Sequence, residues 1–307
     1  MLGYSDELLE RLQQYRRSAF PDSLFETKWP HVFRKEHASL NVLTKPGSSD
    51  GEKEQVLKGI SVPKRQKWFR SMKSSQALAQ SVFANLRVYN KLFCLAGLRG
   101  DDGKPLFVRG TPNDQQCELE FDIDYLGEPQ STSVDVFFDG NYRVAVECKL
   151  SESEVGRCSR PKLDKDNPEH CNGSFTFQAG RTKRCSLTER GVEYWTYVPR
   201  LFNWPADVNH VPCPLAETYQ LVRNVLAACV RRGGELGPGH AVLLYDERNP
   251  AFHETGKGFR AWTKARESLA DPSRLQRCTW QQLTRCLRES GMELAWLADG
   301  LHKKYGF

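Results

Sequence analysis

The chain lacks any apolar run approaching the ~20 residues a membrane span needs, and its mean hydropathy is −0.59. Its opening segment, MLGYSDELLERLQQYRR, is charged from the start and has no apolar signal-peptide core. These absences predict a soluble, cytoplasmic protein with no membrane partner. Internal repeats and long low-complexity tracts are also missing, so nothing points to a repeat architecture. Nor is there a strong charge of either sign. Lys and Arg number 44 against 38 Asp and Glu, a net charge of +6, with a pI near 8.7. That mild excess permits a nucleic-acid partner without demanding one.

What is present suits a folded domain. Hydrophobic residues make up 39% and aromatics 11%, enough to exclude wholesale disorder. A length of 307 residues allows one large domain or two small ones. Between Lys58 and Lys73 lie six basic residues and no acid, with Trp68 and Phe69 among them. Lys64, Arg65, Lys67, Trp68, Arg70 and Lys73 therefore form a candidate nucleic-acid stripe, cations for phosphates and a ring for base stacking. A solvated, proline-broken connector is the plain alternative.

Periodicity predicts a helix over Ser5–Ser18, capped by Ser5, and an exposed loop over 44–54. Leu78, Val82, Leu86, Tyr89 and Phe93 recur at three- and four-residue steps, a helical pattern across Ser71–Leu98. Three strand-like runs follow, at Gln116–Tyr125, Thr132–Phe138 and Tyr142–Leu150, the last two joined by the turn signal Asp139-Gly140-Asn141. Residues 151–213 are polar, with only Val192–Val198 reading as a strand. A helix at Leu215–Arg232, a short strand at His240–Tyr245, and helices near Phe259–Leu269, Trp280–Glu289 and Glu293–Tyr305 complete the chain. The expected fold class is one mixed α/β domain with an insertion.

The third strand reads Arg143-Val144-Ala145-Val146-Glu147-Cys148-Lys149-Leu150. Glu147 and Lys149 are two apart and share a face. Unpaired charges on a buried strand are costly, so they need a partner, a metal or an edge. Asp135 lies on the preceding strand. Pairing about the turn sets it near Arg143–Ala145, with twist and splay bringing its carboxylate towards Glu147. Two carboxylates and a lysine suit a divalent cation and an activated water. Glu-x-Lys is expected about once by chance in such a chain, and here it occurs twice. Glu26-Thr27-Lys28 sits outside any strand pattern, whereas Glu147-Cys148-Lys149 lies on one.

This combination resembles the PD-(D/E)XK nuclease superfamily, with Val134 where the signature has proline. The helix, three strands, helix, strand order looks like that family's core, over about residues 70–250. The chain is also similar to a bacterial family of restriction-endonuclease-like proteins, through Ser74–Leu78, Glu147–Lys149, Tyr219–Asn224 and Leu244–Phe252. The resemblance implies a restriction-endonuclease-like mixed sheet flanked by helices, in residues 71–307, with a cysteine-containing insertion at about 151–213 and a helical, basic extension at 1–70. It implies a Mg²⁺- or Mn²⁺-dependent endonuclease acting on DNA, of restriction or defence type, with a homodimer as an allowed assembly. Asp135, Glu147 and the Cys148 backbone carbonyl would be the metal ligands, with Asp135, Glu147 and Lys149 catalytic. A catalytically silent subunit of the same fold is the alternative.

Gln76, near the start of an acid-free helix, could bind metal-linked water or the DNA backbone, as a further catalytic candidate. Glu118 or Glu120 could supply a further carboxylate, although a solvated strand face is the plainer reading. Gln220 and Asn224 are four apart on one helical face. Gln220 and Arg223 are candidates for site or phosphate contact. Finally, Cys158, Cys171, Cys185 and Cys213 lie among polar residues where a small hydrophobe has no packing role. Four such thiols match the ligand count of a structural zinc site or an iron–sulfur cluster, with His170 and His210 as substitutes. No Cys-x-x-Cys pair is present, and ordinary reduced thiols remain the alternative.

Overall fold

The computed structural model describes residues 3–100, 103–107, 117–130 and 132–307. Helix α1 (Tyr4–Ala19) carries Asp6 and Glu7 in its first turn and Arg16 and Arg17 in its last, which suits its dipole. Gly3, not Ser5, occupies its N-cap. The expected loop over 44–54 is shorter than predicted, because Ser49 and Glu52 form a capping box that starts α2 (Asp50–Leu57). The long helical pattern resolves into α3 (Ser75–Ala79), a π-helical turn at Gln80–Ala84 and α4 (Asn85–Val88). Asn90 at φ 55° breaks the run, and a 3₁₀ segment, Leu92–Gly97, follows.

Strands β1 (Cys117–Ile123), β2 (Thr132–Phe138) and β3 (Arg143–Cys148) come next. The insert holds α5 (Ser186–Glu189) and α6 (Tyr194–Leu201). Thus the strand expected at Val192–Val198 is a helix. Its buried residues Tyr194, Trp195, Tyr197, Val198 and Leu201 have helical spacing, which the aromatic and β-branched composition concealed. Then follow α7 (Leu215–Cys229), β4 (Gly239–Tyr245), α8 (Lys257–Glu267), β5 (Leu275–Thr279), α9 (Trp280–Glu289) and α10 (Ala295–Tyr305).

The five strands form one sheet in the order β1-β2-β3-β4-β5. The first three are antiparallel neighbours, and β4 and β5 join in parallel. Each face buries its own core. On one, Val144, Val146 and Cys148 meet residues of α1, α3, α9 and α10. On the other, Ala145, Ala241 and Leu243 meet α6, α7 and α8. The fold is a mixed five-stranded α/β sheet flanked by helices, consistent with a restriction-endonuclease-like core.

α9 begins with a capping box, Thr279 Oγ1 accepting from the Gln282 amide at 3.1 Å and Gln282 Oε1 accepting from the Thr279 amide at 2.7 Å. Its first residue, Trp280, donates from Nε1 to the Lys149 carbonyl at 3.0 Å. Thr279→Ala should therefore cost about 1 kcal/mol of stability, read as a lower urea midpoint at unchanged slope. An unchanged midpoint would show that the cap does not contribute.

Candidate active site beneath helix α7

The β2–β3 register places Asp135 differently from the sequence expectation. Val136 pairs with Val146, Phe137 with Ala145 and Phe138 with Val144. The connection spans four residues, 139–142, so continuing this register sets Asp135 opposite Glu147 instead of near Arg143–Ala145. The ladder stops there, and the Cys148 amide donates to Asp135 Oδ2 at 2.6 Å.

A face switch in the outer hairpin adds a third carboxylate. On β1, Cys117 and Leu119 face one core, while Ile123, also odd-numbered, faces the other. On β2, Val136 and Val134 split the same way. Between the paired positions Leu119–Val136 and Phe121–Val134 stand Glu120 and Asp135. Glu120 sits at φ 51°, a strained conformation for a residue with a Cβ. The kink takes its side chain out of alternation: Glu118 is exposed, whereas Glu120 is buried. The solvated-face reading therefore fails for Glu120. The Ser133 hydroxyl donates to its Oε2, and its buried Oε1 makes no hydrogen bond of normal geometry.

Glu147 and Lys149 point to the face covered by α7, which packs on β3 and β4. Lys149 Nζ lies 2.8 Å from Glu147 Oε1 and donates to Gln220 Oε1 at 2.9 Å. Asn224 Nδ2 donates to Glu147 Oε2 at 2.7 Å, and Arg223 Nη2 lies 3.7 Å from the same oxygen. Arg223 also donates to the Ser133 carbonyl at 2.9 Å and to Asn224 Oδ1. Gln220, Arg223 and Asn224 thus meet the strand motif, with Arg223 buried in the site. Asn224 was legible only as a face-mate of Gln220.

Electrostatics follow from this crowding. Burial, then Glu147 and Glu120, push the Asp135 carboxyl well above its ordinary range, against the pull of Lys149 and the Cys148 amide. Burial and Glu147 also raise Glu120, opposed by Ser133 and Gln76. For Lys149, burial works against the charge, but Glu147, Glu152 and Asp135 outweigh it and raise its pKa. Glu152 accepts from the Leu150 amide at 2.6 Å and from Ser75 Oγ at 2.6 Å, tying the start of the insert to α3 beside the lysine. Gln76 accepts from the Gln66 amide at 2.9 Å and donates to the Lys64 carbonyl at 3.1 Å. It therefore joins the basic segment to the Glu120 side of the site.

Among the described residues, no group of three or more His, Cys, Asp or Glu side chains stands arranged around a metal ion. The donor set nonetheless suits a hard divalent cation: carboxylates, one with an orphaned buried oxygen, whose mutual repulsion a cation would relieve. Cys148 puts its thiol into the opposite core. It meets Asp135 through its backbone.

The basic stripe divides. Lys64 donates to the Glu120 carbonyl at 2.7 Å and pairs with Asp122 at 2.9 Å. Arg65 holds the Leu57 and Ile60 carbonyls, Arg70 pairs with Glu26, and Lys73 donates to Ser5 Oγ at 3.0 Å. Only Lys67 and Trp68 lie open, with Lys67 over the Trp68 ring. Trp68 meets Trp29 edge-on at 5.9 Å, and Lys28 covers Trp29. Lys28 and Trp29 were not legible as part of this surface, because they come from a distant, patternless segment.

No curated protein and no solved structure matches the chain. A family model described as REase-ARP, Restriction Endonuclease associating with ARP, matches residues 9–306, nearly the whole length, and the chain belongs to that family.

Proposed function

We propose that this protein is a divalent-cation-dependent DNA endonuclease, with Mg²⁺ or Mn²⁺ held by Asp135 and Glu147, and by Glu120 from the kinked strand. The observation that carries this reading is the mutual repulsion of carboxylates from three adjacent strands, Asp135 with Glu147 and Glu120, beside the Lys149 ammonium that pairs with Glu147. A bound cation would polarise the scissile phosphate and make a bound water a stronger acid. The chain's own residues do the positioning. Asn224 and Arg223 fix the Glu147 carboxylate. Glu147 and Gln220 hold the Lys149 ammonium charged and aimed, ready to offset charge developing on the phosphate. The backbone carbonyl of Cys148 is a further candidate ligand on this strand.

The family description names an association with ARP, so we take this chain as the nuclease component of such a pairing. A double-strand cut needs two sites, which a homodimer would supply. Cleavage of plasmid, linear duplex and single-stranded DNA with Mg²⁺, against the same reactions in EDTA, tests the reading. Activity in EDTA, or none on any DNA with Mg²⁺, would contradict it. The second reading, a silent DNA-binding subunit, draws on the full engagement of Glu147 by Lys149 and Asn224.

The stripe's division yields a binding prediction. Replacing Lys67 and Lys28 by Ala should weaken DNA binding on all sequences, and each lost phosphate contact should lower the salt slope by about 0.9. Lys64→Ala, whose ammonium already serves Asp122 and Glu120, should change the slope less. Equal slopes for both variants would remove the aromatic cluster from the interface.

A further inference from the structure

The insert between β3 and α7 gathers four cysteines from segments far apart in sequence. The Cys158 amide donates to the Ala216 carbonyl at 3.2 Å, and the Ala216 amide to the Cys213 carbonyl at 3.0 Å. The Cys213 amide donates to the Gly173 carbonyl at 2.9 Å, and the Cys171 amide to the Arg160 carbonyl at 3.4 Å. Segments 158–160, 171–173 and 213–216 are therefore stitched together at one junction. Cys185 enters at the start of α5 and packs in the same core as Cys158 and Cys213.

The thiols sense one another. Burial, then chiefly the other cysteines, hold Cys213 up at about 12, with Cys185, Cys158 and Cys171 all contributing. Burial raises Cys158 to about 11, with Cys185 and Cys171 adding to it. Against this, two backbone amides favour the thiolate: that of Arg160 on Cys158, and that of Leu215 on Cys213. Each lies two residues beyond its cysteine, so both sulfurs sit in turns that offer N–H donors. None of these four forms a disulfide.

We propose that Cys158, Cys171, Cys185 and Cys213 bind one structural Zn²⁺ as a four-thiolate site. This goes beyond the nuclease reading and needs none of its carboxylates. Four thiols lose four protons to solvent on binding. The zinc stays divalent, so no oxidant or reductant is required. An iron–sulfur cluster would also need sulfide and an electron source. The sulfurs do not yet surround one point; binding draws them inward on segments already hydrogen-bonded together. The histidine substitutes are otherwise engaged, His170 Nδ1 with the Leu163 carbonyl at 3.0 Å and His210 Nε2 with the Pro205 carbonyl at 2.8 Å. The cation would offset the ordering entropy of a long polar insert, coupling its folding to metal.

The test uses the full chain, purified without added zinc. Elemental analysis should find about one zinc per chain, as a closed four-ligand site requires. Co²⁺ exchange should give a thiolate-to-cobalt charge-transfer band. In Cys171→Ser and Cys213→Ser, zinc content should fall at least tenfold, while Cys286→Ser, a core cysteine elsewhere, should keep it. Should the serine variants fail to fold, chelation of the wild-type chain supplies the second readout, with an expected drop in melting temperature that added Zn²⁺ reverses. Zinc near zero, iron with sulfide in its place, disulfides among the four, or a melting temperature indifferent to chelator would each overturn the proposal.

Discussion

Glu147→Gln should lower Mg²⁺-dependent cleavage by at least about 10²–10³-fold, the scale on which removal of one charge-stabilising group acts. Glu147 is the hub of the site. One oxygen holds Lys149 and the other takes Asn224 and lies near Arg223. Neutralising it removes a proposed metal ligand and leaves Lys149 and Arg223 without their shared carboxylate. Breaking a buried pair also costs about 3–5 kcal/mol, so the variant's melting temperature must be measured beside its rate. Asp135→Asn separates the two effects. Asp135 accepts from the Cys148 amide and, among the described residues, makes no ion pair with Lys149, yet its replacement should lower cleavage to a similar degree. DNA binding should survive both changes, because the phosphate contacts proposed at Lys67 and Lys28 lie elsewhere. Full activity in either folded variant would remove the strand pair from the chemistry.

The second large effect is a coupling between pH and cation. Asp135 and Glu120 are raised in the folded chain above their ordinary values of 3.8 and 4.5. The native state therefore binds more protons than the unfolded chain as pH rises past those values, and stability without cation falls with rising pH across that window. A divalent cation bound by these carboxyls would replace those protons. Its stabilisation, about 2.7 kcal/mol at a hundredfold excess over Kd, should be small in acid and grow towards neutral pH. Lys149 acts in the same direction but at alkaline pH: its raised pKa supports the fold below its ordinary value of 10.5, and that support is lost only as pH climbs through the higher folded value. Thermal melts with and without Mg²⁺ at several pH values check this. A Mg²⁺ effect that does not grow with pH, or that is unchanged in Glu120→Gln, would mean these carboxyls do not meet the ion.

The strand pair was legible because its signal is local. Val144, Ala145 and Val146 mark a buried strand, and a charged pair two apart at its end must share a face. The β2 boundaries and the start and end of α9 were equally plain, since β-branched and aromatic residues mark the strand and helical periodicity runs through α9. Other features depend on tertiary geometry. The Asp135–Glu147 juxtaposition follows from a four-residue connection that the Asp-Gly-Asn signal disguised as a tighter turn. Glu120 looked like one of four alternating acids, and only the positive φ that swaps the strand's faces buries it. β5 was missed because Leu275–Thr279 is short, with Gln276 and Arg277 only partly covered. The basic stripe read as a surface, although half of its cations serve internal carbonyls and carboxylates, which composition cannot reveal.

Titration of the full-length chain with Mn²⁺, followed by the loss of its free-ion paramagnetic signal, tests the central claim most directly. A catalytic site built on Asp135 and Glu147 predicts saturable binding in the wild-type chain, abolished in Asp135→Asn and retained in Lys149→Met, which should bind the ion yet fail to cleave. Binding that is absent from the folded wild-type chain, or undiminished in Asp135→Asn, would contradict it.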